Sequence, residues 1–318
     1  MRCCASGPRH ITPGWCILEG GRQVDEPFTG TQAQLELARI VIAFGLSDTA
    51  EEGFQVPAHH VPFLSAGEPD VVLSYEYDLV PDHLLTGELL FDTGHMWSFH
   101  RNRHGLIWRQ MSMTVDAHPQ RVAVFAPDFR SGKVYSAYPD RIGRCLPYPL
   151  YHPLDKFLLA NLLAGRRGVT CHACGVDDNG HGMLFVGESG AGKSTMAQLW
   201  DGRSGVTVLS DERTIVRLRD GRFYIYGTPW YGSAGLLSPM SAPLSAIFFL
   251  RHGPDNRLTK IQGGDILRRL MVCTYLPFWS AAGIDQSLWL FNELSLRVPC
   301  YELTFVPDGK VLELLRSL

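Results

Sequence analysis

The sequence predicts an α/β protein with a mixed sheet, preceded by a smaller strand-rich region. From residue 151 onward, apolar runs of strand length alternate with segments of helical periodicity. Between about 31 and 150, short runs of strand-like composition are separated by turn-forming residues. The 318 residues are 45% hydrophobic and 19% charged, which is typical of a globular chain that buries one large or two modest domains.

The first half divides into an irregular arm, 1–30, and a strand-rich region, 31–150, which we expect to be antiparallel. The arm has scattered glycine and proline and no periodicity. The histidines of the strand-rich region form no pair at a ligand spacing, so surface or half-buried imidazoles are expected. Strand candidates lie at 71–80, 89–100, 105–115 and 121–127, with turns at 102–105 and 130–133.

A proline-rich boundary at 147–153 introduces the second region, 151–318. A helix follows Pro153 and is predicted to end at a Gly165 cap. Asp220-Gly221 indicates a hairpin between two strands. The other predicted elements are strands 169–176 and 183–186, helix 193–201, strand 206–210, strand 245–250, helices near 265–275 and 284–297, and a strand near 300–306.

Charge and hydropathy argue against two classes of partner. A net charge of −3 and a pI near 6.4 give no basic surface for nucleic acid. The longest apolar runs, such as 157–165 and 246–250, fall short of the roughly 20 residues that span a bilayer, and glycine and proline interrupt the N-terminus before a signal-peptide core forms. We therefore expect a cytoplasmic protein without membrane or nucleic-acid partners. The eight dispersed cysteines suit a reducing compartment.

Cys171 and Cys174 have the C-x-x-C spacing of metal and redox sites, but their surroundings argue against that function. The flanking residues predict a strand, in which side chains three apart point to opposite faces. No second cysteine pair completes a zinc site. Two small buried thiols are expected instead.

The segment 187–195, GESGAGKST, carries the strongest chemical signal. It matches G-x-x-x-x-G-K-[ST] between a predicted strand and a predicted helix. Its glycines permit a tight turn whose backbone N–H groups face anionic oxygens, and the following helix adds its positive end. Lys193 would reach the β and γ phosphates, and the Ser194 hydroxyl would ligate Mg²⁺. We thus predict an ATP·Mg²⁺ site formed by Gly187, Ser189, Gly190, Ala191, Gly192, Lys193, Ser194 and Thr195.

An acidic pair follows the loop closely. Strand 206–210 ends at Asp211 and Glu212, and Asp211 lies 18 residues after Lys193. In transporter ATPases the corresponding strand comes much later, beyond a helical insert with a Ser-Gly-Gly signature that is absent here. This spacing disfavours a transporter ATPase.

The short gap, the pair followed by Arg213, and an upstream histidine together resemble the C-terminal kinase domain of HPr kinase/phosphorylase, a fold shared in outline with phosphoenolpyruvate carboxykinase. His172 lies 21 residues before Lys193, as the family's histidine does, and Asp211-Glu212-Arg213 stands for the family's Asp-Asp-Arg. Nearly all of 150–318 resembles a subgroup of HPr-kinase-related proteins that includes lasso-peptide serine kinases. The resembling segments are PLDKFLLANLLAGRRGVTCHACGV, LSDER, YGTPWYGSAG and SAPLSAIFFL.

The resemblance implies a P-loop kinase core that transfers the γ-phosphoryl group of ATP to a serine of a peptide or small carrier protein. Asp211 is the candidate base and Glu212, with Ser194, the metal-side ligand, although the two carboxylate roles can be exchanged. His172 either contacts phosphate, metal or acceptor, or is a core histidine. Arg213 either neutralises the transferring group or braces the acidic pair. A homo-oligomer is compatible with the family, whose type members are hexamers.

The chain also departs from the type family. The stretch E-x-R-G-L-G-I, associated with the phosphorylase reaction, is replaced by 226–232, so HPr as substrate and the reverse reaction are in doubt. This aromatic stretch is either a loop over peptide or nucleotide or a buried turn. Arg268 and Arg269 are expected on a solvated helix face. Two other functions remain open: a kinase of a small hydroxylated metabolite such as free serine, and a non-enzymatic, nucleotide-controlled peptide-binding protein.

Overall fold

The computed structural model describes residues 28–46, 53–77, 79–111, 119–137, 146 and 148–318. Most of the predicted N-terminal arm, 1–27, lies outside the described residues. The end of that arm is not irregular, because Phe28–Gly30 form strand β1, which pairs antiparallel with β4, Phe54–Val56.

The strand-rich region contains an eight-stranded sheet with the order β2-β3-β5-β10-β9-β8-β7-β6. The strands are β2 (Gln32–Leu37), β3 (Ile40–Leu46), β5 (Val71–Glu76), β6 (Glu88–Asp92), β7 (Trp97–Asn102), β8 (Gly105–Met111), β9 (Pro119–Phe125) and β10 (Ser131–Ser136).

The expectation of an antiparallel unit is wrong for the centre of this sheet. Strand β5 pairs parallel with both β3 and β10, while the remaining pairs are antiparallel. Parallel neighbours need a long crossover connection. The chain provides one between β3 and β5, which holds β4 and a short 3₁₀ helix, Ala58–Phe63, and another between β5 and β10, which holds four strands.

The predicted turn at 102–105 is confirmed, since Asn102 pairs with Gly105 at the end of the β7–β8 hairpin. The turn predicted at 130–133 lies earlier. Strand β10 already begins at Ser131, and the chain reverses over 126–130, where Asp128 accepts a hydrogen bond from the Arg130 N–H at 3.0 Å. A short side chain that folds back on its own backbone favours such a turn.

The proline-rich boundary leads into helix α1, Leu154–Ala164, which ends at Gly165 as predicted. The apolar face of α1 shares one core cluster with the N-terminal sheet, and Ile215 and Tyr226 of the second region join it. Phe157 of the helix packs 4.8 Å from the Trp279 ring, between centroids. Helix α1 therefore lies where the two regions meet.

The second region is built on a nine-stranded mixed sheet, so the chain is an α/β protein with mixed sheets, as expected. Its strands are β11 (Gly168–Asp178), β12 (His181–Val186), β13 (Val206–Ser210), β14 (Arg213–Arg219), β15 (Arg222–Tyr226), β16 (Ser241–His252), β17 (Arg257–Lys260), β18 (Thr274–Tyr275) and β19 (Cys300–Phe305). The helices are α2 (Lys193–Trp200), α3 (Gly264–Val272), α4 (Ala281–Arg297) and α5 (Lys310–Arg316).

Two long strands fold this sheet back on itself. The first half of β11 pairs with β14 and its second half with β12 and β13. Strand β16 pairs antiparallel with β15 near its start, then parallel with β12 and β19. The ends of β12 and β13 are thereby brought to one edge, where the glycine-rich segment begins.

The two cysteines of the C-x-x-C segment lie in β11, as the strand prediction requires. Both are fully buried, and they belong to different core clusters on opposite faces of the strand. Both thiols are free. They fill the core and do not converge on one ion.

In the part of the chain that the structure describes, no helix is both long and apolar enough to cross a membrane.

Candidate functional site

A glycine-rich loop, 187–192, connects the end of β12 with the start of α2. Gly190 and Gly192 have φ angles of 81° and 101°, in the left-handed region that favours glycine. A Cβ atom on Gly192 would lie 2.8 Å from Cζ of Phe305, and one on Gly187 would lie 2.6 Å from Cβ of Ala191. The tight turn therefore needs these glycines for backbone conformation and for space.

Lys193, the first residue of α2, turns back into this loop. Its side chain is buried, and its ammonium donates to the carbonyl oxygens of Gly187 at 2.9 Å and Glu188 at 2.8 Å. Burial lowers the pKa of Lys193, while the Glu212 carboxylate acts in the opposite direction. A cation is thus held inside the turn at the N-terminal end of a helix, where the backbone N–H groups of the first turn have no intrahelical acceptors.

Asp211 directly follows β13 and its carboxylate reaches the loop. It is fully buried and accepts hydrogen bonds from Ser194 Oγ at 3.1 Å and from the backbone N–H groups of Gly232 and Ala234, both at 2.8 Å. The structure therefore brings together the loop hydroxyl and the carboxylate that ends the strand. Three donors fix the position of that carboxylate.

Glu212 points to a different neighbour. Its Oε1 lies 3.2 Å from Nε2 of His172, and both side chains are partly exposed. Burial and the nearby charge of Lys193 keep the pKa of His172 below its ordinary value, so the ring is mostly uncharged at pH 7. His172 lies opposite Arg213 in the β11–β14 register, which places both side chains on the same face of the sheet.

Arg213 does not brace the acidic pair. Its guanidinium carbon lies 5.6 Å from the Trp230 ring and 5.5 Å from the Tyr275 ring, between centroid and Cζ. Its Nε is buried and has no hydrogen-bond acceptor among the described residues. Arg213 is thus held by aromatic faces and presents its charge to the space beside His172.

Lys156, in the first turn of α1, and His152, just before that helix, lie beside the site, and sequence reasoning missed them. Lys156 Nζ lies 5.0 Å from the Tyr275 ring centroid, and its charge interacts with those of Arg213 and Glu212. His152 interacts with Lys156 and Arg213. No local pattern distinguishes them from an ordinary helix start, since only the packing of α1 brings them here.

The aromatic segment 227–232 is buried at its start and exposed at Tyr231. Trp230 packs against the core shared by the two regions, 6.4 Å from the ring of His60, whereas Tyr231 is 47% exposed and contacts His59. Burial, with a smaller effect of His59, lowers the pKa of His60 to about 3. The strand-rich region therefore supports the segment that holds Asp211.

The arginines of α3 lie beside the loop without entering it. Arg268 is exposed and pairs with Asp265, as expected for a solvated face. Arg269 is more buried and bridges Asp265 and Glu302. Both border a cavity of about 200 Å³ that reaches Gly187 and Glu188.

The fold and the site define an α/β protein in which a glycine-rich turn, a lysine and a buried aspartate meet at one edge of a mixed sheet. No protein-family model matches the chain, and no curated protein matches it significantly. Across the described ranges, no group of three or more His, Cys, Asp and Glu side chains could hold a metal ion.

Proposed function

We propose that this chain is an ATP-dependent kinase that transfers the γ-phosphoryl group of ATP to a serine hydroxyl of a peptide or protein. The observation that carries the proposal is the 3.1 Å contact between Ser194 Oγ and Asp211 Oδ2. A loop hydroxyl and a strand-end carboxylate are the two protein ligands that phosphate-loop enzymes offer to Mg²⁺. The resemblance to the HPr kinase C-terminal domain supports the same reading, with the second region as a P-loop kinase core.

The residues present fit a triphosphate with its metal ion. The loop glycines keep the turn narrow, and no atom lies within 4 Å of a Cβ built on Gly190. The ammonium of Lys193 lies within the turn, next to the first turn of α2. A bound Mg²⁺ would neutralise charge on the phosphates. Ser194 and Asp211 would hold it.

The two carboxylates take different roles. Of the two assignments that the sequence left open, their surroundings favour the one in which Asp211 binds the metal ion and Glu212 is the base. Asp211 already accepts from two backbone N–H groups, which fix the position of its carboxylate and suit a metal ligand. Glu212 is partly exposed and has one side-chain partner, His172. Glu212 therefore takes the proton of the acceptor hydroxyl, and the uncharged His172 donates to its Oε1 and orients it.

In this proposal the strand-rich region supports the segment that lies beside Asp211. Its 3₁₀ helix presents His59 and His60 to the segment that carries Trp230 and Tyr231. Backbone N–H groups of that same segment hold Asp211. The acceptor side of the site is thus formed jointly by the two regions.

The proposal is tested with purified protein, γ-labelled ATP, Mg²⁺ and candidate serine peptides. Wild type is compared with Asp211→Asn and with Asp285→Asn, a control at an exposed carboxylate on α4. We expect label on serine, a loss of about a thousandfold or more in Asp211→Asn, and no change in the control.

The other outcomes separate the alternatives. Label on free serine but on no peptide would indicate a metabolite kinase. Release of free phosphate that is unchanged by any acceptor would indicate a nucleotide-controlled binding protein. Equal labelling of peptide by wild type and Asp211→Asn would contradict the proposed roles.

A further inference from the structure

Two cationic side chains face one aromatic ring on the acceptor side of the site. Lys156 Nζ lies 5.0 Å and Arg213 Cζ lies 5.5 Å from the centroid of Tyr275. Within the described residues, neither cation forms an ion pair at 4.0 Å or less, and Nε of Arg213 is buried without an acceptor. Two like charges beside one ring, neither of them in an ion pair, form an arrangement that an anion would stabilise.

The nearby carboxylates are already engaged. Asp155 is turned into the core, where its Oδ1 accepts from the Lys156 backbone N–H at 2.7 Å, and His152 lies 3.8 Å from it. Glu212 pairs with His172. Burial and the charge of Arg213 lower the pKa of Lys156, although Asp155 and Glu212 act in the opposite direction. Among the described residues neither carboxylate forms an ion pair with Lys156 or Arg213, so both cations stay available to an incoming anion.

This cationic pair is distinct from the phosphate loop. Lys193 is bonded to the carbonyl oxygens of Gly187 and Glu188, whereas Lys156 lies against the Tyr275 ring, and the charge of Glu212 acts on both lysines. The loop lysine belongs to the nucleotide side. Arg213, from β14, shares the sheet face of His172, and Lys156, from α1, lies against the same Tyr275 ring as Arg213, so both cations lie on the side from which the acceptor hydroxyl would approach Glu212.

We propose that Lys156 and Arg213, held against Tyr275, bind a carboxylate of the acceptor peptide next to the serine that receives the phosphoryl group. This inference rests on the proposed function and names its substrate class, an acidic peptide. Guanidinium and ammonium groups over an aromatic face keep their N–H donors free for such an oxyanion. Lys156 is then a specificity-determining residue.

The first test measures oxyanion binding without nucleotide or transfer. Inorganic phosphate is titrated calorimetrically into the Lys193→Met protein, in which the loop has lost its cation. We expect binding that weakens at least tenfold when Lys156→Met is added and that is retained with Lys156→Arg. Lys260→Met, at an exposed lysine of β17, serves as the matched control and should change nothing. The inference would be overturned if the Lys193→Met protein did not bind phosphate, or if adding Lys156→Met left its phosphate affinity unchanged.

The second test identifies the source of the carboxylate. The substrates are heptapeptides with a central serine and with Asp or Asn at the flanking positions. Each peptide is made with a free and with an amidated C-terminus. The rate at which each peptide is labelled from γ-labelled ATP is compared. Wild type should prefer the peptides with a carboxylate by about tenfold, and Lys156→Met should lose the preference while it still labels neutral peptides. If the preference follows Asp, a side chain is bound; if it follows the free terminus, the terminal carboxylate is bound.

The two proposals fail in different ways. Lys156-dependent phosphate binding without any peptide labelling would reject the kinase and keep the anion site. Peptide labelling with equal rates for Asp and Asn, free and amidated peptides would keep the kinase and reject the acidic-peptide specificity.

Discussion

The strand-rich region and the second region both bury charged side chains, but they surround them differently. In the strand-rich region, Arg121 is almost fully buried and donates to Gln110 Oε1 and to the carbonyl oxygens of Pro149, Tyr151 and His152. All these acceptors are internal to the fold. The guanidinium fixes the connection that leads into α1.

In the second region, Lys193 and Asp211 are also buried, yet their partners belong to a glycine-rich turn and a loop at the edge of the sheet. Such partners can be exchanged when a ligand enters the turn. Burial of charge alone does not identify a functional site. We propose that the convergence of buried charges beside the glycine-rich turn does, and this difference predicts which variants lose function and which lose stability.

The largest effect is expected for Lys193→Met. Removal of the cation from the turn should lower phosphoryl transfer at least a thousandfold, about 4 kcal/mol of transition-state stabilisation. Circular dichroism and the unfolding midpoint should stay close to wild type. Lys310→Met, at an exposed lysine of α5, is the control. If Lys193→Met transferred the phosphoryl group at the wild-type rate, the buried cation of the second region would have no role in catalysis.

Arg121→Met should act on stability instead. It removes the guanidinium that donates to Gln110 Oε1 and to the carbonyl oxygens of Pro149, Tyr151 and His152, so we expect the free energy of unfolding to fall by about 3 kcal/mol. Urea denaturation measures the loss, and Arg101→Met, at an exposed position of β7, should cost little. The rate of phosphoryl transfer per folded molecule should stay unchanged. A loss of activity without a loss of stability would contradict the purely structural role of Arg121.

His60 should make stability depend on pH. Its pKa is about 3 in the folded protein and near 6.5 when unfolded, so below pH 6.5 the unfolded chain binds the proton first and stability falls until about pH 3. At pH 5 the loss attributable to His60 is about 2 kcal/mol. His60→Phe should remove this part of the pH dependence in denaturant titrations, whereas His181→Phe, at an exposed histidine, should not. Identical curves for wild type and His60→Phe would show that the ring titrates normally.

The smallest effect concerns Ser280, which caps α4 through a 3.1 Å hydrogen bond from the Gly283 N–H to its hydroxyl. Ser280→Ala should cost about 1 kcal/mol of stability and leave transfer intact. Ser295→Ala, within the same helix and away from its N-terminus, should change stability by less than half of that. Equal losses in both variants would mean that the cap contributes nothing specific.

Much of the second region could be predicted because its signals are local. The strand at 206–210, the Asp-Gly hairpin and the α1 boundaries follow from periodicity and turn chemistry within a few residues. Strands 169–176 and 245–250 are found but are longer, Gly168–Asp178 and Ser241–His252, because pairing to several neighbours extends them. Strands β17 and β18 and helix α5 were not predicted.

The parts that escaped prediction depend on contacts between distant segments. The alternation of apolar and polar residues along the strands does not reveal that β5 pairs parallel with β3 and β10. Asp211 and Ser194 could be named from motif spacing, but their contact requires β13 to end beside α2. The approach of Lys156 to Arg213 needs the joint packing of α1 and β18, which no pattern within either segment encodes.

The metal-binding role that we propose for Ser194 and Asp211, on the glycine-rich turn, can be checked with a crystal structure that contains Mg²⁺ and a non-hydrolysable ATP analogue. We expect Mg²⁺ about 2.1 Å from Ser194 Oγ, with an oxygen of Asp211 in its coordination shell, directly or through water, and the terminal phosphate facing Glu212. A nucleotide bound elsewhere, or a metal ion without Ser194 among its ligands, would contradict it.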